Sequence, residues 1–185
     1  MQDIHSDRIL IIDFGSQYTQ LIARRVREAG VYSEVHHTGM TGEEIKAFNP
    51  NGIILSGGPE SVTADDTLVA PPYVFEAGVP VLGICYGLQY MVHTLGGSVA
   101  RSAKREYGFA RFKLKKDDGM YKGVEAQTNC WMSHGDSITK LPRGFRITGS
   151  TENTRIAAAS HPRRKLFGLQ FHPEVEHTPR GKRML

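Results

Sequence analysis

The chain has 185 residues, 39% of them hydrophobic and 23% charged, which is typical of a single soluble globular domain with a sizeable core. Two cysteines in a chain of this length do not suit a disulfide framework, so we expect the reducing environment of the cytoplasm. The polar start at residues 1–8 and the lack of a long apolar stretch argue against a signal peptide and a membrane anchor.

The net charge of +4 hides an uneven distribution of charge along the chain. The first hundred residues carry 5 Lys/Arg against 11 Asp/Glu, whereas residues 101–185 carry 18 against 8. A basic half could bind nucleic acid, but the basic residues are scattered and no basic motif interleaved with aromatic residues occurs. We therefore predict a solvated or protein-docking face, and neither nucleic acid nor a membrane as a partner.

In the first hundred residues, short aliphatic runs alternate with segments of helical periodicity. Strands are predicted at 8–14, 31–36, 52–55 and 79–84, and helices at 18–29, 41–48 and 86–95, with a short helix ending at 76. Thr41 and Glu44 have the spacing of a capping box at the start of the second helix. The alternation predicts an α/β fold with a doubly wound, mostly parallel central sheet flanked by helices.

After residue 101 the pattern changes to strands in close succession, separated by turn sequences. Strands are predicted at 107–114, 129–133, 145–150, 156–159 and 166–170. We expect them to extend the same sheet as partly antiparallel additions, so that residues 1–185 form a single domain.

The segment around Cys85 carries the strongest catalytic signal. A β-branched strand ends at Gly83-Ile84-Cys85-Tyr86-Gly87, and a helix-compatible segment follows at once. The glycines allow close approach of backbone and substrate, and the first turn of the helix favours a thiolate over a thiol. The string is only moderately specific, because a lone cysteine between a core strand and a helix is more often an inert buried thiol.

A cysteine nucleophile needs a base and a group that orients the base. Pro173 favours an extended backbone at His172, and residues two apart in an extended chain point the same way. Glu174 can therefore hold one ring nitrogen of His172 and leave the other for Cys85. Taken alone, His-Pro-Glu is more simply a turn with a surface ion pair.

Acyl transfer also needs donors for an oxyanion. The glycine loop Ser56-Gly57-Gly58-Pro59 follows the third predicted strand and would open onto the same crevice. We predict the N–H groups of Gly58 and Tyr86 as the two donors. The alternative interpretation of Gly-Gly-Pro is an ordinary tight turn.

A third polar element, Ser133-His134-Gly135-Asp136, follows a predicted strand. His134 is a rival base, but Gly135 favours a loop suited to backbone contacts, and no carboxylate sits where it could fix the ring as Glu174 does for His172. We assign the segment to substrate binding. A solvated hairpin end fits the residue types about equally well.

The other residues that could carry chemistry give weaker signals. Cys130 lacks flanking glycines and is predicted to be a core or half-buried thiol. His36 and His37 are adjacent in a strand and face opposite sides, and no Cys/His spacing is that of a zinc site. Neither a Walker-type loop nor a dinucleotide-binding string occurs. We therefore expect no metal and no cofactor in this domain.

Three segments together resemble the class I, or triad, glutamine amidotransferases: Ser56-Gly57-Gly58-Pro59, Gly83-Ile84-Cys85-Tyr86-Gly87-Leu88-Gln89 and Gln170-Phe171-His172-Pro173-Glu174. The resemblance implies a flavodoxin-like fold and attack of Cys85 on the side-chain amide of L-glutamine, which yields a glutamyl thioester and ammonia. It also implies that His172 relays protons and that Glu174 orients it. The residues implied to contact glutamine are Gly57, Gln89, Ser133, His134 and Asp136.

Two flanking stretches, residues 12–27 and 177–185, resemble the branch of this family that serves GMP synthesis. In that branch the ammonia passes to an ATP-pyrophosphatase, or synthetase, module that aminates xanthosine monophosphate (XMP). ATP and Mg²⁺ are expected only in that partner, whose Ser-Gly-Gly-Val-Asp-Ser phosphate loop does not occur in these 185 residues. The chain is thus expected to be either a separate subunit or one domain of a larger enzyme.

Three alternatives stay open on the sequence. A glutamine amidotransferase of another biosynthetic pathway would share the triad but not the flanking stretches. A related α/β cysteine hydrolase, such as an intracellular peptidase, would share the elbow but gives no reason for Gln89 or for residues 133–136. A non-catalytic docking module would keep the fold without needing Cys85, His172 and Glu174 together.

Overall fold

The computed structural model describes residues 7–65 and 67–185, except for the side chain of Ala103. Residues 1–6 of the polar start lie outside the described residues. The strands are β1 (Arg8–Asp13), β2 (Tyr32–His37), β3 (Gly52–Leu55), β4 (Val81–Ile84), β5 (Ser98–Leu114), β6 (Gln127–Lys140), β7 (Arg146–Ser150), β8 (Ala158–His161) and β9 (Leu166–Leu169). The helices are α1 (Thr19–Glu28), α2 (Gly42–Phe48), α3 (Tyr86–Thr94) and α4 (Gly181–Met184), with single 3₁₀ turns at Pro72–Phe75 and Pro162–Arg164.

Over the described residues, the strands form one nine-stranded sheet in the order β2-β1-β3-β4-β9-β8-β7-β5-β6. The five strands from β2 to β9 run parallel to their neighbours. On β1, Ile11 packs on the same side as Ile22 of α1, whereas Leu10 and Ile12 pack on the side of α3. Because helices cover both faces, the inner strands β1, β3, β4 and β9 are mostly apolar, and the predicted doubly wound α/β fold is confirmed.

The second half adds β8, β7, β5 and β6 as antiparallel strands, as predicted. Two predicted boundaries in this half are wrong. β5 begins at Ser98 rather than at 107, and β6 continues to Lys140 through the segment 133–136 that was predicted to be a loop. The long β5 supplies pairing partners for that segment, and the extra residues of β5 are taken up by an irregularity between Arg101 and Glu106.

Local signals at the ends of the helices account for their bounds. The Thr41 hydroxyl accepts from the Glu44 N–H and the Glu44 carboxylate accepts from the Thr41 N–H, so the predicted capping box is confirmed. The helix predicted to end at 76 is a single 3₁₀ turn that begins at Pro72, directly after Pro71, and β4 begins soon after it. None of the described helices is long and apolar enough to span a membrane.

The parallel arrangement determines where the polar loops meet. Strands β3, β4 and β9 end at Leu55, Ile84 and Leu169, which lie at the same edge of the sheet. The glycine loop after β3, the cysteine after β4 and the residues 170–174 after β9 therefore leave the sheet side by side.

Candidate active site

Cys85 lies in a strained turn between β4 and α3. Its φ of +53° and ψ of −108° fall in a region that residues other than glycine rarely adopt. A Cβ at Gly83 would lie 2.7 Å from the backbone of Gly87, and a Cβ at Gly87 would lie 2.2 Å from the carbonyl oxygen of Leu55. The two glycines thus allow α3 to pack directly on β3 and β4, which fixes the sulfur at the edge of the sheet.

The structure brings Cys85, His172 and Glu174 together. His172 Nδ1 lies 2.7 Å from Glu174 Oε1, and both side chains are buried. Because the carboxylate occupies Nδ1, the other ring nitrogen is left for the sulfur of Cys85, with which the ring forms a hydrogen bond. The ring also meets the edge of Tyr18, at 5.2 Å between centroids, and a Cβ at Gly57 would lie 3.2 Å from its Cε1.

These contacts control the protonation of His172. Burial by itself lowers the pKa of the imidazole, but its hydrogen bonds to Cys85 and Glu174 outweigh burial and raise the pKa to about 10. At neutral pH the site therefore favours a protonated His172 beside the sulfur of Cys85.

Three further contacts hold the backbone of the segment that carries His172 and Glu174. Thr178 Oγ1 donates to the carbonyl oxygen of His172 at 2.7 Å and accepts from the N–H of Trp131 at 3.0 Å. Arg25 of α1 donates through Nε to the carbonyl oxygen of Glu174 at 3.0 Å. Arg25 and Thr178 were not predicted, since nothing in the sequence relates positions so far apart.

A cavity of about 680 Å³ opens beside Cys85. Its volume lies within the usual range for sites that bind small molecules. Apart from Gly57 and Glu174, which lie behind the imidazole, each residue predicted for the site lines this cavity: Gly58, Cys85, Tyr86, Gln89, Ser133, His134, Asp136 and His172. Arg101, Arg105 and Tyr107 of β5 line it as well and were not predicted as site residues. Arg101 and Arg105 lie in the part of β5 that was not recognised as a strand.

Gly58 and Tyr86, the residues predicted to supply the oxyanion donors, pack against each other. A Cβ at Gly58 would lie 3.3 Å from Cγ of Tyr86 and 2.6 Å from the carbonyl oxygen of Phe14, so only glycine fits there. Tyr86 is the first residue of α3, and N–H groups in a first helical turn lack intrahelical acceptors. That these two N–H groups bind an oxyanion stays a prediction.

His134 belongs to a second buried histidine–carboxylate pair. Glu106 Oε2 lies 3.8 Å from His134 Nε2, and Thr154 Oγ1 lies between them, 2.6 Å from the carboxylate and 3.3 Å from the ring. The sequence did not indicate this carboxylate, because it comes from the neighbouring strand, and it does not contact the ring directly as Glu174 contacts His172. The solvated hairpin end is wrong, since His134 is 4% exposed. Burial lowers the pKa of His134 despite its hydrogen bond to the Asp136 carbonyl and the nearby charge of Glu106.

A continuous series of hydrogen bonds connects His134 to the nucleophile. The carbonyl oxygen of Asp136 lies 2.8 Å from His134 Nδ1 and accepts from Gln89 Nε2 at 3.0 Å. Gln89 Nε2 also donates to Gln170 Oε1 at 3.1 Å, and Gln170 Nε2 donates to the sulfur of Cys85 at 3.7 Å. Both amide hydrogens of Gln89 are thus used within the protein, which leaves its oxygen to accept from a ligand. Gln170 belongs to the segment 170–174 that resembles the family, but it was not predicted as a site residue.

Cys130 differs from Cys85 in its surroundings. It is fully buried in β6, as predicted, and burial raises the pKa of its thiol to about 12. Among the residues that the structure describes, no three or more His, Cys, Asp or Glu side chains are arranged to hold a metal ion.

Comparison with known proteins relates this geometry to one family. The model of the family "Glutamine amidotransferase class-I" matches residues 10–185. The glutamine-hydrolysing GMP synthases of Coxiella burnetii and Vibrio vulnificus are each 53% identical over the whole of this chain, which spans 37% and 36% of their respective lengths.

Solved structures agree with this match. A protein from Thermoplasma acidophilum, described as a candidate GMP synthase subunit, superposes with a TM-score of 0.85 at 28% identity, over 97% of this chain and 90% of that one. A glutamine amidotransferase from Thermotoga maritima, at 23% identity, has the same fold with a TM-score of 0.73, over 92% of this chain and 77% of that one. With a family model that covers nearly its whole length, the chain belongs to the class-I glutamine amidotransferases.

Proposed function

We propose that this chain hydrolyses L-glutamine and delivers the ammonia to an ATP-pyrophosphatase module that converts XMP to GMP. The observation that carries the glutaminase step is the buried, hydrogen-bonded set of Cys85, His172 and Glu174 at the edge of a cavity of small-molecule size. The 53% identity to glutamine-hydrolysing GMP synthases favours XMP amination over the pathways of other amidotransferases.

The first half-reaction transfers the γ-glutamyl group to sulfur. The thiolate of Cys85 attacks the side-chain carbonyl carbon of glutamine, and the N–H groups of Gly58 and Tyr86 stabilise the oxyanion. The imidazolium of His172 gives its proton to the amide nitrogen as the C–N bond breaks. Ammonia leaves, and a γ-glutamyl thioester on Cys85 remains.

The second half-reaction restores the enzyme. Water attacks the thioester carbon while the now neutral His172 accepts one of its protons. The C–S bond breaks, glutamate leaves, and the thiolate–imidazolium pair is restored. Glu174 stays ionised throughout and keeps Nδ1 protonated, so that the other ring nitrogen exchanges the proton at each step.

The cavity also offers partners for the charged backbone groups of free glutamine. Arg101 and Arg105 supply positive charge for its α-carboxylate, and Asp136 supplies negative charge for its α-ammonium group. The free oxygen of Gln89 can accept from the substrate. A free amino acid fits such a charged lining better than an internal residue of a peptide, which argues against the peptidase alternative.

The synthetase partner, whether a second subunit or another part of the same polypeptide, would hold ATP and Mg²⁺. We expect the whole enzyme to act in the cytoplasm, where its nucleotide substrates occur. The curated relatives are long enough to contain both activities, because this chain matches only 37% of the Coxiella protein.

The test is a reconstituted assay with the chain, an ATP-pyrophosphatase module, ATP, Mg²⁺ and XMP. The parent should form GMP from glutamine, whereas Cys85→Ala should form GMP only when ammonium chloride is supplied. Cys130→Ala is the matched control and should keep both activities.

Glutamine-dependent GMP formation by Cys85→Ala would contradict the proposal. Peptide cleavage without ammonia release from glutamine would favour the α/β hydrolase. An inert thiol even with the partner present would favour the non-catalytic docking module.

A further inference from the structure

A second cavity lies away from the catalytic residues. It has a volume of about 530 Å³ and is lined by Arg143, Gly144, Arg146, His161, Pro162 and Arg163. β7 begins at Arg146 and β8 ends at His161, just before β9 begins. Because the catalytic residues follow the ends of β4 and β9, this basic cavity lies at the opposite edge of the sheet and none of its lining residues belongs to the catalytic site.

The charges in the basic cavity are not balanced by the protein. Its lining includes three arginines and a histidine, and no acidic residue. Over residues 7–65 and 67–185, the side chains of Arg143, Arg146 and Arg163 form no hydrogen bond or ion pair, whereas Arg25 and Arg180 are paired with glutamates. Like charges that share a cavity destabilise one another unless a counter-charge is present.

Arg146 provides the strongest evidence for a bound anion. Its Nε is buried and has no acceptor in the described part of the chain. A buried donor on a charged group that is left without an acceptor costs about 1–3 kcal/mol or more. A bound anion would supply the acceptor and the counter-charge together.

The backbone around the cavity is shaped to keep it open. Gly144 has a φ of +88°, and a Cβ there would lie 2.3 Å from Nε2 of His161. The N–H of Arg164 donates to Nδ1 of His161 at 3.4 Å, which holds the ring against Gly144. Arg143 and Arg146 therefore lie at the turn around Gly144, and Arg163 lies on a second turn that follows Pro162. The two turns are held against each other by His161.

We propose that the basic cavity binds the phosphate group of a small organic phosphate. Guanidinium groups bind phosphate oxygens in a bidentate geometry, and a phosphate dianion balances several arginines better than a singly charged, planar carboxylate does. A bare phosphate would fill only part of 530 Å³, a volume that is typical of small-molecule sites. The remaining space accommodates the organic part of the ligand, such as a sugar or a nucleoside.

Calorimetric titration of the full chain at constant ionic strength tests this proposal. The probes are inorganic phosphate, GMP as an organic phosphate, and acetate as a carboxylate. We expect saturable binding of one GMP per chain, weaker binding of inorganic phosphate and none of acetate. Glutamine should not displace the bound GMP, because the two cavities are separate.

Variants of the arginines identify the site. Arg143→Ala and Arg146→Ala should each weaken GMP binding about tenfold or more, which corresponds to the loss of one charge-assisted hydrogen bond. Arg146→Lys keeps the charge but not the bidentate geometry and should give an intermediate affinity. Arg24→Ala removes the same charge from an exposed position on α1 and should leave binding unchanged.

Three results would overturn the proposal. The first is the absence of saturable binding of GMP and phosphate at millimolar concentration. The second is an equal loss of affinity in Arg24→Ala and Arg146→Ala, which would indicate unspecific attraction to net charge. The third is binding of a polyglutamate peptide in preference to both phosphates. If Arg146→Ala fails to fold, the exposed Arg143 and the Arg146→Lys variant decide the question.

Discussion

Two buried histidine–carboxylate pairs reach the catalytic cavity, and the surroundings drive their pKa values in opposite directions. His172 contacts Glu174 directly at 2.7 Å and also bonds to Cys85, so its pKa rises to about 10. His134 lies 3.8 Å from Glu106 with the hydroxyl of Thr154 between them, and burial lowers its pKa.

The comparison teaches that a nearby carboxylate does not by itself make a histidine a base. Burial disfavours the charged imidazole in both pairs, and only direct contact with two partners outweighs it. His172 therefore keeps a proton that it can give to a leaving group. His134 instead has both ring nitrogens facing protein groups, Asp136 and Thr154, and suits positioning of β6.

Removal of each imidazole should separate the two roles most strongly. His172→Ala should lower kcat for ammonia release from glutamine by on the order of 10³–10⁴-fold, because no other group can protonate the leaving nitrogen. His134→Ala should mainly raise KM, by about tenfold, because it loosens the side of the cavity formed by β6. Equal losses of kcat in the two variants would contradict the division of roles.

Neutralising the two carboxylates should again lower kcat more at the His172 pair than at the His134 pair. Both losses should be smaller than that in His172→Ala. Glu174→Gln can still hold Nδ1 but loses the charge that favours the imidazolium, so kcat should fall by on the order of 10²–10³-fold. Glu106→Gln keeps one oxygen that can accept from the hydroxyls of both Thr151 and Thr154, and kcat should change less than about tenfold. A larger loss of kcat in Glu106→Gln than in Glu174→Gln would reverse the assignment.

The same contrast predicts opposite effects of pH on stability. The pKa of His172 is raised from 6.5 to about 10, so its stabilisation is present below pH 6.5 and is lost as the pH rises through about 10. The pKa of His134 is lowered from 6.5, so the unfolded chain takes up a proton first and stability falls as the pH drops below 6.5.

Urea unfolding between pH 5 and 10 measures both effects. His134→Gln should lose less stability than the parent on acidification, and His172→Gln should lose less at alkaline pH. Identical pH profiles for the parent and both variants would contradict the opposite pKa shifts.

The sequence was informative where function depends on residues that are close together in the chain. The elbow around Cys85 and the pair of His172 and Glu174 were predicted because two-residue spacing in an extended chain and glycines around a turn have local geometric consequences. The α/β class of the first half followed from aliphatic runs that alternate with helical periodicity.

The missed features depend on contacts between strands. Glu106 meets His134 only because β5 pairs with β6 in one register, and that register includes an irregularity that no pattern in the sequence marks. Gly135 suggested a loop, although its neighbours His134 and Asp136 both pair with β5. Gln170 bonds to the sulfur of Cys85 because β9 lies next to β4, which is a consequence of sheet order.

The smallest effect concerns the hydroxyl between His134 and Glu106. Thr154→Val keeps the shape of the side chain but removes the donor to Glu106, and the free energy of unfolding should fall by about 1–3 kcal/mol. Thr139→Val, at an exposed position in β6, is the control and should stay within about 0.5 kcal/mol of the parent. Similar stability of the two variants in urea would mean that the second pair does not depend on Thr154.

Covalent labelling with a glutamine-like electrophile tests most directly that Cys85 is an activated nucleophile and Cys130 an inert thiol. At neutral pH, intact mass and peptide mapping should show one adduct per chain, on Cys85, and His172→Ala should slow its formation strongly. An adduct confined to Cys130, or labelling of Cys85 at the same rate with and without His172, would contradict the account.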